Sequence, residues 1–260
     1  MKNVAILIPN YNSYEAIQLC VESVRKYTKH PYHMIVYDSG SDNKCDLEYL
    51  RKARREGWIE LIESYEFKKH GEALNFLLNE RCKNEFDFAA VLDDDIYIKG
   101  EGWLEDMLEE AEKEKVLAVC DYREDLHYYH TDIYELWFSI FNLTAYRDGM
   151  QVDWRLSYAD LREEPYKTML GGKAPPEGAI PLRRGPNFTI NDVGAKLLVK
   201  VLGENPKGYE VVPLPEEVRG KYRHWGTMSN ALWSIMQRGA MKYWLGKAVK
   251  INKALEEIRT

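Results

Sequence analysis

Three short apolar runs punctuate the first part of the chain, Val4 to Ile8, Met34 to Tyr37 and Phe88 to Leu92, and Ile59 to Ile62, broken by Glu60, is a further strand candidate. Uninterrupted runs of this length are expected of parallel strands buried on both faces. Between them, apolar residues recur at helical spacing. Ile17, Cys20, Val21 and Val24 follow a candidate cap at Ser13, Leu47 to Arg55 resumes a helix, and Gly71 to Arg81 places Ala73, Leu74, Leu77 and Leu78 on one face. Strand and helix alternating in this way predict an α/β fold with a mainly parallel central sheet and helices on both faces, joined by right-handed crossovers.

In such sheets ligands bind beyond the carboxyl ends of the strands. Three polar clusters fall there: Pro9 to Asn12, Asp38 to Asp42, and the acidic triplet Asp93, Asp94 and Asp95. Three adjacent carboxylates next to an apolar run repel one another and lose hydration, so they must be protonated, hydrogen-bonded or neutralised by a cation. Oxygen ligands favour Mg2+ or Mn2+, ions that commonly carry a substrate diphosphate in their shell. The plain alternative is a solvated acidic turn that ends the strand.

The second half is less regular. An acidic helix, Trp103 to Lys115, leads through a strand at Val116 to Cys120 into an aromatic stretch, Tyr128 to Tyr146, and a loop rich in Gly and Pro spans Gly171 to Pro186. The segment Ser229 to Arg259 is amphipathic, with basic residues around Trp233, Met236, Met241, Trp244 and Leu245. It can lie on a membrane surface or pack on its own domain, and soluble proteins usually use such helices for the second purpose. The expected organisation is therefore one domain over 1–228, with a nucleotide-binding half at 1–100 and an acceptor half at 101–228, followed by a helical segment at 229–260.

A chain of 260 residues that is 45% hydrophobic can fill a core of this kind. Its 36 basic and 42 acidic residues leave a net charge of -6, and so no global field to draw it onto nucleic acid. Cys20, Cys45, Cys82 and Cys120 form no CxxC pair, which argues against a zinc ribbon or a disulfide framework and for a reducing, cytoplasmic setting. No run of 18 apolar residues exists to cross a bilayer, and the N-terminus reads as a first strand rather than a signal sequence.

Taken in order, VAILIPNYN, IVYDSGSDN, HGEALN, VLDDD, GYEVVPLP and RHWGTMS resemble the family 2 glycosyltransferases of the GT-A fold, over roughly Met1 to Ser229. Each motif alone is weak, and the ordered set is specific. The resemblance implies a nucleoside-diphosphate sugar donor and a divalent cation, Mn2+ or Mg2+. It assigns Asp38 to the nucleobase and Pro9 and Tyr11 to the floor beneath the nucleoside. It makes Asp93 the ribose- or metal-side carboxylate, Asp94 the variable middle residue and Asp95 the direct metal ligand, with His224 completing the shell. Lys69, beside Lys68, stands where the family often places a basic residue near the nucleotide, while Arg183 and Arg184, on the loop rich in Gly and Pro, either close over the diphosphate or belong to a solvated turn.

Asp192 occupies the place of the catalytic base, although Asn191 stands where an acid is usual; Asp148 and Asp153 are in reserve. With one base and no evident nucleophile, the implied chemistry is direct displacement with inversion. Plainer roles remain open: Asp38 and Ser41 as an Asx-type turn, Asp192 as a helix cap, His224 as an ordinary histidine, Lys69 as a solvated charge. Trp137, Phe138, Trp154, Tyr158 and Tyr166 form either a sugar-stacking platform or core.

Two other functions use similar parts. A nucleotidyltransferase would place a Gly-rich loop after the first strand, where this chain has PNYNSYE. A non-catalytic binding module would leave the acidic cluster purely structural. The acceptor, whether saccharide, lipid-linked sugar, protein or another hydroxyl compound, leaves no mark on the sequence.

Overall fold

A computed structural model of the chain describes residues 2–13, 15–124, 132–155, 159–160, 189–190, 197, 200–201, 205–225 and 240–260. The first half alternates as expected: β1 (Val4–Asn10), α1 (Glu15–Tyr27), β2 (His33–Asp38), α2 (Lys44–Arg55), β3 (Glu60–Glu63), α3 (His70–Phe76) and β4 (Phe88–Leu92). Then follow β5 (Ile96–Ile98), α4 (Trp103–Ala111), β6 (Val116–Glu124) and β7 (Asp132–Asn142). A short helical turn at Leu143–Ala145 and a π turn at Tyr146–Met150 precede the two-residue strands β8 (Ala159–Asp160) and β9 (Thr189–Ile190), then β10 (Glu210–Pro213), α5 (Glu216–Arg219), β11 (Tyr222–His224) and α6 (Ala240–Arg259).

Seven strands form one mainly parallel sheet in the order β10-β6-β7-β4-β1-β2-β3. β1 pairs parallel with β2, β2 with β3 and β10 with β6, while β7 runs antiparallel to β6. Every residue of β1 and β4 is buried, as their unbroken apolar runs require. The fold is the α/β architecture that the family resemblance implies.

The backbone divides into two compact units, one of residues 1–2, 69–91 and 108–214, the other of residues 3–68, 92–107 and 215–260. In the second, α6 lies on α1. Ile251, Ala254, Leu255 and Ile258 are buried with Ala16, Leu19 and Trp225. Lys26 Nζ donates to the carbonyls of Glu257 and Ile258 at 3.1 and 2.9 Å, a cation at the carbonyl-rich end of the helix, and Arg259 grips Glu22 at 2.7 Å. Packing on its own domain is thus what α6 does with these apolar residues. Among the described residues no helix is long and apolar enough to cross a membrane.

The Ser13 hydroxyl donates to Asn10 Oδ1 at 2.7 Å, tying the approach to α1 to the strand end. Two local departures have physical causes. The helix expected to run unbroken to Arg81 widens into a π turn at Leu77–Arg81, where the Cys82 amide reaches the Leu77 carbonyl. Arg147 holds this exit by donating to the carbonyls of Cys82 and Phe86, both at 2.8 Å. Finally, α4 stops at Ala111 because the chain turns into β6 through Lys115, whose φ is +66°.

Candidate functional site

The acidic triplet sits on a tight turn between β4 and β5, closed by the Ile96 amide donating to the Asp93 carbonyl at 3.1 Å. The turn splits the three carboxylates between two jobs. Asp94 accepts a hydrogen bond from the Tyr11 amide at 3.1 Å, so it fastens the end of β1. Asp93 and Asp95 instead share a corner with His224, which reaches them because β11 pairs antiparallel with β5 and sets His224 opposite Ile96. His224 Nε2 stands 3.0 Å from Asp95 Oδ1 and 3.7 Å from Asp93 Oδ2. One ligand atom from each of the three lies within 4.8 Å of the others.

Ligands on opposite sides of a Mg2+-sized ion are about 4.2 Å apart. Small side-chain rotations therefore let this N/O set close on one cation. The electrostatics ask for one. Burial, followed by the charges of Asp95 and Asp93, pushes the Asp94 carboxyl well above the ordinary range. The buried Cys20 thiol beneath the turn is raised by burial and by the same carboxylates. Positive charge at this corner would relieve both strains.

A second cluster adjoins the ends of β1 and β2. Asp38 is 1% exposed and anchored within its turn: its Oδ1 accepts from Asn10 Nδ2 at 2.8 Å and Ser41 Oγ at 2.6 Å, and its Oδ2 accepts from the Ser41 amide at 3.0 Å. Asn12, at φ +47°, clamps the same turn. Its Oδ1 accepts from the amides of Asp42 and Asn43, both at 3.1 Å, and its amide donates to Ser41 Oγ at 2.9 Å. The half-buried Tyr11 ring meets the Phe67 ring edge-on at 4.7 Å.

The sequence model of glycosyl transferase family 2 matches residues 5–151, more than half of the chain. The chain belongs to glycosyl transferase family 2. Among solved structures, the mannosyltransferase PcManGT from Pyrobaculum calidifontis, in complex with GDP-Man and Mn2+, is 17% identical with a TM-score of 0.50; the match covers 82% of this chain and 55% of that one. S. aureus TarS in a truncated form with UDP-GlcNAc is 19% identical with a TM-score of 0.43, covering 57% of this chain and 47% of that one. The chain thus spans about half the length of these proteins. At such identities the first likeness speaks for the fold. A comparison with curated proteins finds no match.

In this family 2 chain the expected site residues fall in different places. Pro9 is buried in β1 opposite Tyr37, and Tyr11, Asp38, Asp93, Asp94, Asp95 and His224 all belong to the unit of 3–68, 92–107 and 215–260. Lys69 is exposed at the start of α3, its amide donating to Glu72 at 2.8 Å, and Lys68 pairs with Glu66. Asp192, Arg183 and Arg184 lie outside the described residues. So do Tyr158 and Tyr166.

The reserve acids are occupied. Asp148 accepts from Lys207 at 2.5 Å and Tyr209 at 2.6 Å, which lowers its pKa, and Asp153 accepts from Arg155 at 2.9 Å. Phe138 and Trp154 are fully buried, the core alternative rather than a stacking platform, and Trp137 is half-buried.

Two sets of residues carry structure that the motifs quoted above did not assign. The first is Asn10, Asn12 and Ser41, whose side chains knit PNYN to DSGSDN. The second is Gly71 and Asn75 of HGEALN. A Cβ on Gly71 would stand 2.1 Å from the Trp154 carbonyl oxygen, and Asn75 Oδ1 accepts from the Trp154 amide at 3.2 Å. That motif is a docking seat for residues 152–154. Its signal was the Gly at a helix start, a position where only close backbone approach rewards the missing side chain.

Proposed function

We propose that the protein is a glycosyltransferase that moves a sugar from a nucleoside-diphosphate donor to an acceptor hydroxyl, with inversion, at a site loaded with Mn2+ or Mg2+. The observation that carries this reading is the convergence of Asp93, Asp95 and His224 at the carboxyl end of β4 in a family 2 chain. A mixed N/O set suits Mn2+ or Mg2+, and the imidazole tilts the choice toward Mn2+.

When bound, the cation neutralises charge that builds on the departing diphosphate. The chain's own residues do the rest. Asp95, Asp93 and His224 hold it, and Asp94 keeps Tyr11 at the strand end beneath the nucleoside. Asp38, with a lone pair of Oδ2 to spare beyond its turn, accepts an N-H from the base. Lys69 and Arg184 meet the phosphates. Asp192 takes the proton of the acceptor hydroxyl as that oxygen bonds to the anomeric carbon and the carbon-phosphate oxygen bond breaks, a contribution of about 100 to 10,000-fold. Asp148 and Asp153 are less suited to this task because cations already engage them. A cytoplasmic setting, in which all four cysteines stay reduced, accords with this chemistry.

The test is turnover of UDP-, GDP- and dTDP-sugars with and without Mn2+. Asp95→Ala should abolish cation-dependent turnover, and Asp192→Asn should bind donor yet fail to transfer. Full transfer by Asp192→Asn would move the base elsewhere, and pyrophosphate release from a nucleoside triphosphate would favour nucleotide-sugar synthesis instead.

A further inference from the structure

The strand that brings His224 to the acidic turn has only three residues, too few to hold a ligand by its own ladder. What fixes it is the residue that follows. The Trp225 amide donates to the Asp95 carbonyl at 3.2 Å, so Asp95 and His224 are bracketed by one backbone bond. The Trp225 ring, 8% exposed, is packed among Ile251, Ala254 and Leu255 of α6, with the Arg223 guanidinium 4.0 Å from its centroid. Its carbonyl accepts a hydrogen bond from Lys247 Nζ of α6, while its buried indole Nε1 has no hydrogen-bond partner among the described residues.

Lys247 is an unusual residue for this place. It is 9% exposed, whereas Lys250 and Lys253 on the same helix point to solvent. A buried ammonium costs several kcal/mol of desolvation unless it is well bonded, and an apolar residue of similar length would fill the space at lower cost. Stability of the helix contact, already secured by Ile251, Leu255 and Ile258, does not require a cation here. A charge-assisted bond to the carbonyl of the residue after His224 does what an apolar contact cannot: it fixes the direction in which the chain leaves β11, one residue beyond the imidazole.

We propose that Lys247 is a positioning residue for the cation site, acting through the Trp225 carbonyl to hold His224 against Asp95, so that the C-terminal helix is part of the cation-binding apparatus. This rests on the proposed reading of Asp93, Asp95 and His224 as cation ligands. Groups that orient ligands in this indirect way typically change metal affinity by about 10- to 100-fold when removed.

The experiment is Mn2+ titration of the full chain by calorimetry and by electron paramagnetic resonance, with no donor present, on the wild type and on Lys247→Met, Lys247→Arg, Lys250→Met and His224→Ala. Lys247→Met should weaken Mn2+ binding about tenfold or more while the metal-free protein melts near the wild-type temperature. Lys247→Arg, which keeps a charged donor, should restore affinity, and Lys250→Met should behave as wild type. Wild-type Mn2+ affinity in Lys247→Met, alongside a loss in His224→Ala, would overturn the positioning role and leave the cation site standing. Equal binding by His224→Ala and wild type, or none by either, would instead overturn the cation reading beneath it. Should Lys247→Met fail to fold, Lys247→Gln removes the charge and cannot span the same distance, and wild-type affinity in that variant overturns the proposal equally.

Discussion

His224 Nε2 lies 3.0 Å from Asp95 Oδ1, because β11, which carries His224, pairs antiparallel with β5, which begins directly after the Asp95 turn. Neither residue alone defines a site. Together with Asp93 they present two carboxylates and one imidazole to a single point.

The first prediction concerns that pair. Asp95→Ala should reduce Mn2+ affinity beyond the range of a calorimetric titration, and His224→Ala should weaken it by about 10- to 100-fold while narrowing the preference for Mn2+ over Mg2+. Both proteins should keep the wild-type circular dichroism spectrum, since neither residue belongs to the apolar core.

Asp38 has a dual burden. Asp38→Ala strips the acceptor from Asn10 Nδ2, the Ser41 amide and Ser41 Oγ, and should cost about 1 to 3 kcal/mol in denaturant unfolding. Nucleotide affinity at a temperature where the variant is fully folded should fall as well. Unchanged nucleotide binding would confine Asp38 to its turn.

Gly71 admits no side chain. Gly71→Ala would press a methyl group to within 2.1 Å of the Trp154 carbonyl oxygen, and backbone on both sides leaves little room to yield. We expect a loss of about 1 to 3 kcal/mol, read from the urea midpoint.

Tyr146 predicts an alkaline limit. Its buried hydroxyl donates to Asn79 Oδ1 at 2.7 Å and accepts from Trp154 Nε1 at 2.8 Å, and burial pushes its pKa from 10.0 up to about 12. Because the folded value is the higher one, the neutral phenol's contribution is whole below pH 10.0 and is lost as pH rises toward about 12. Unfolding measured between these values should show a steeper fall in stability for the wild type than for Tyr146→Phe. At neutral pH the phenylalanine variant should be the less stable by about 1 to 3 kcal/mol, since Trp154 Nε1 and Asn79 lose their partner.

Much of the framework was legible from local pattern. Val4 to Ile8 and Phe88 to Leu92 are continuous because both faces of a parallel strand are covered, and that signal survives any tertiary arrangement. The acidic triplet declared itself for an equally local reason, since three carboxylates beside an apolar run demand neutralisation. Boundaries were less clear: the π turn at Leu77–Arg81 depends on Arg147 holding the carbonyls of Cys82 and Phe86, a partner no helical period reveals.

What the amino-acid order determined by itself is the alternation of elements, the sheet edge where polar residues gather, and the chemistry available there, because burial and charge repulsion act on neighbours in the chain. Only the tertiary structure decided how the triplet is divided. Asp94 turns to the Tyr11 amide while Asp93 and Asp95 turn to His224, and that choice is made by the pairing of β5 with β11 and by the seat of α6 on Trp225. Side-chain direction at a turn follows from which backbone lies within reach, and reach across distant segments is a property of the folded chain alone.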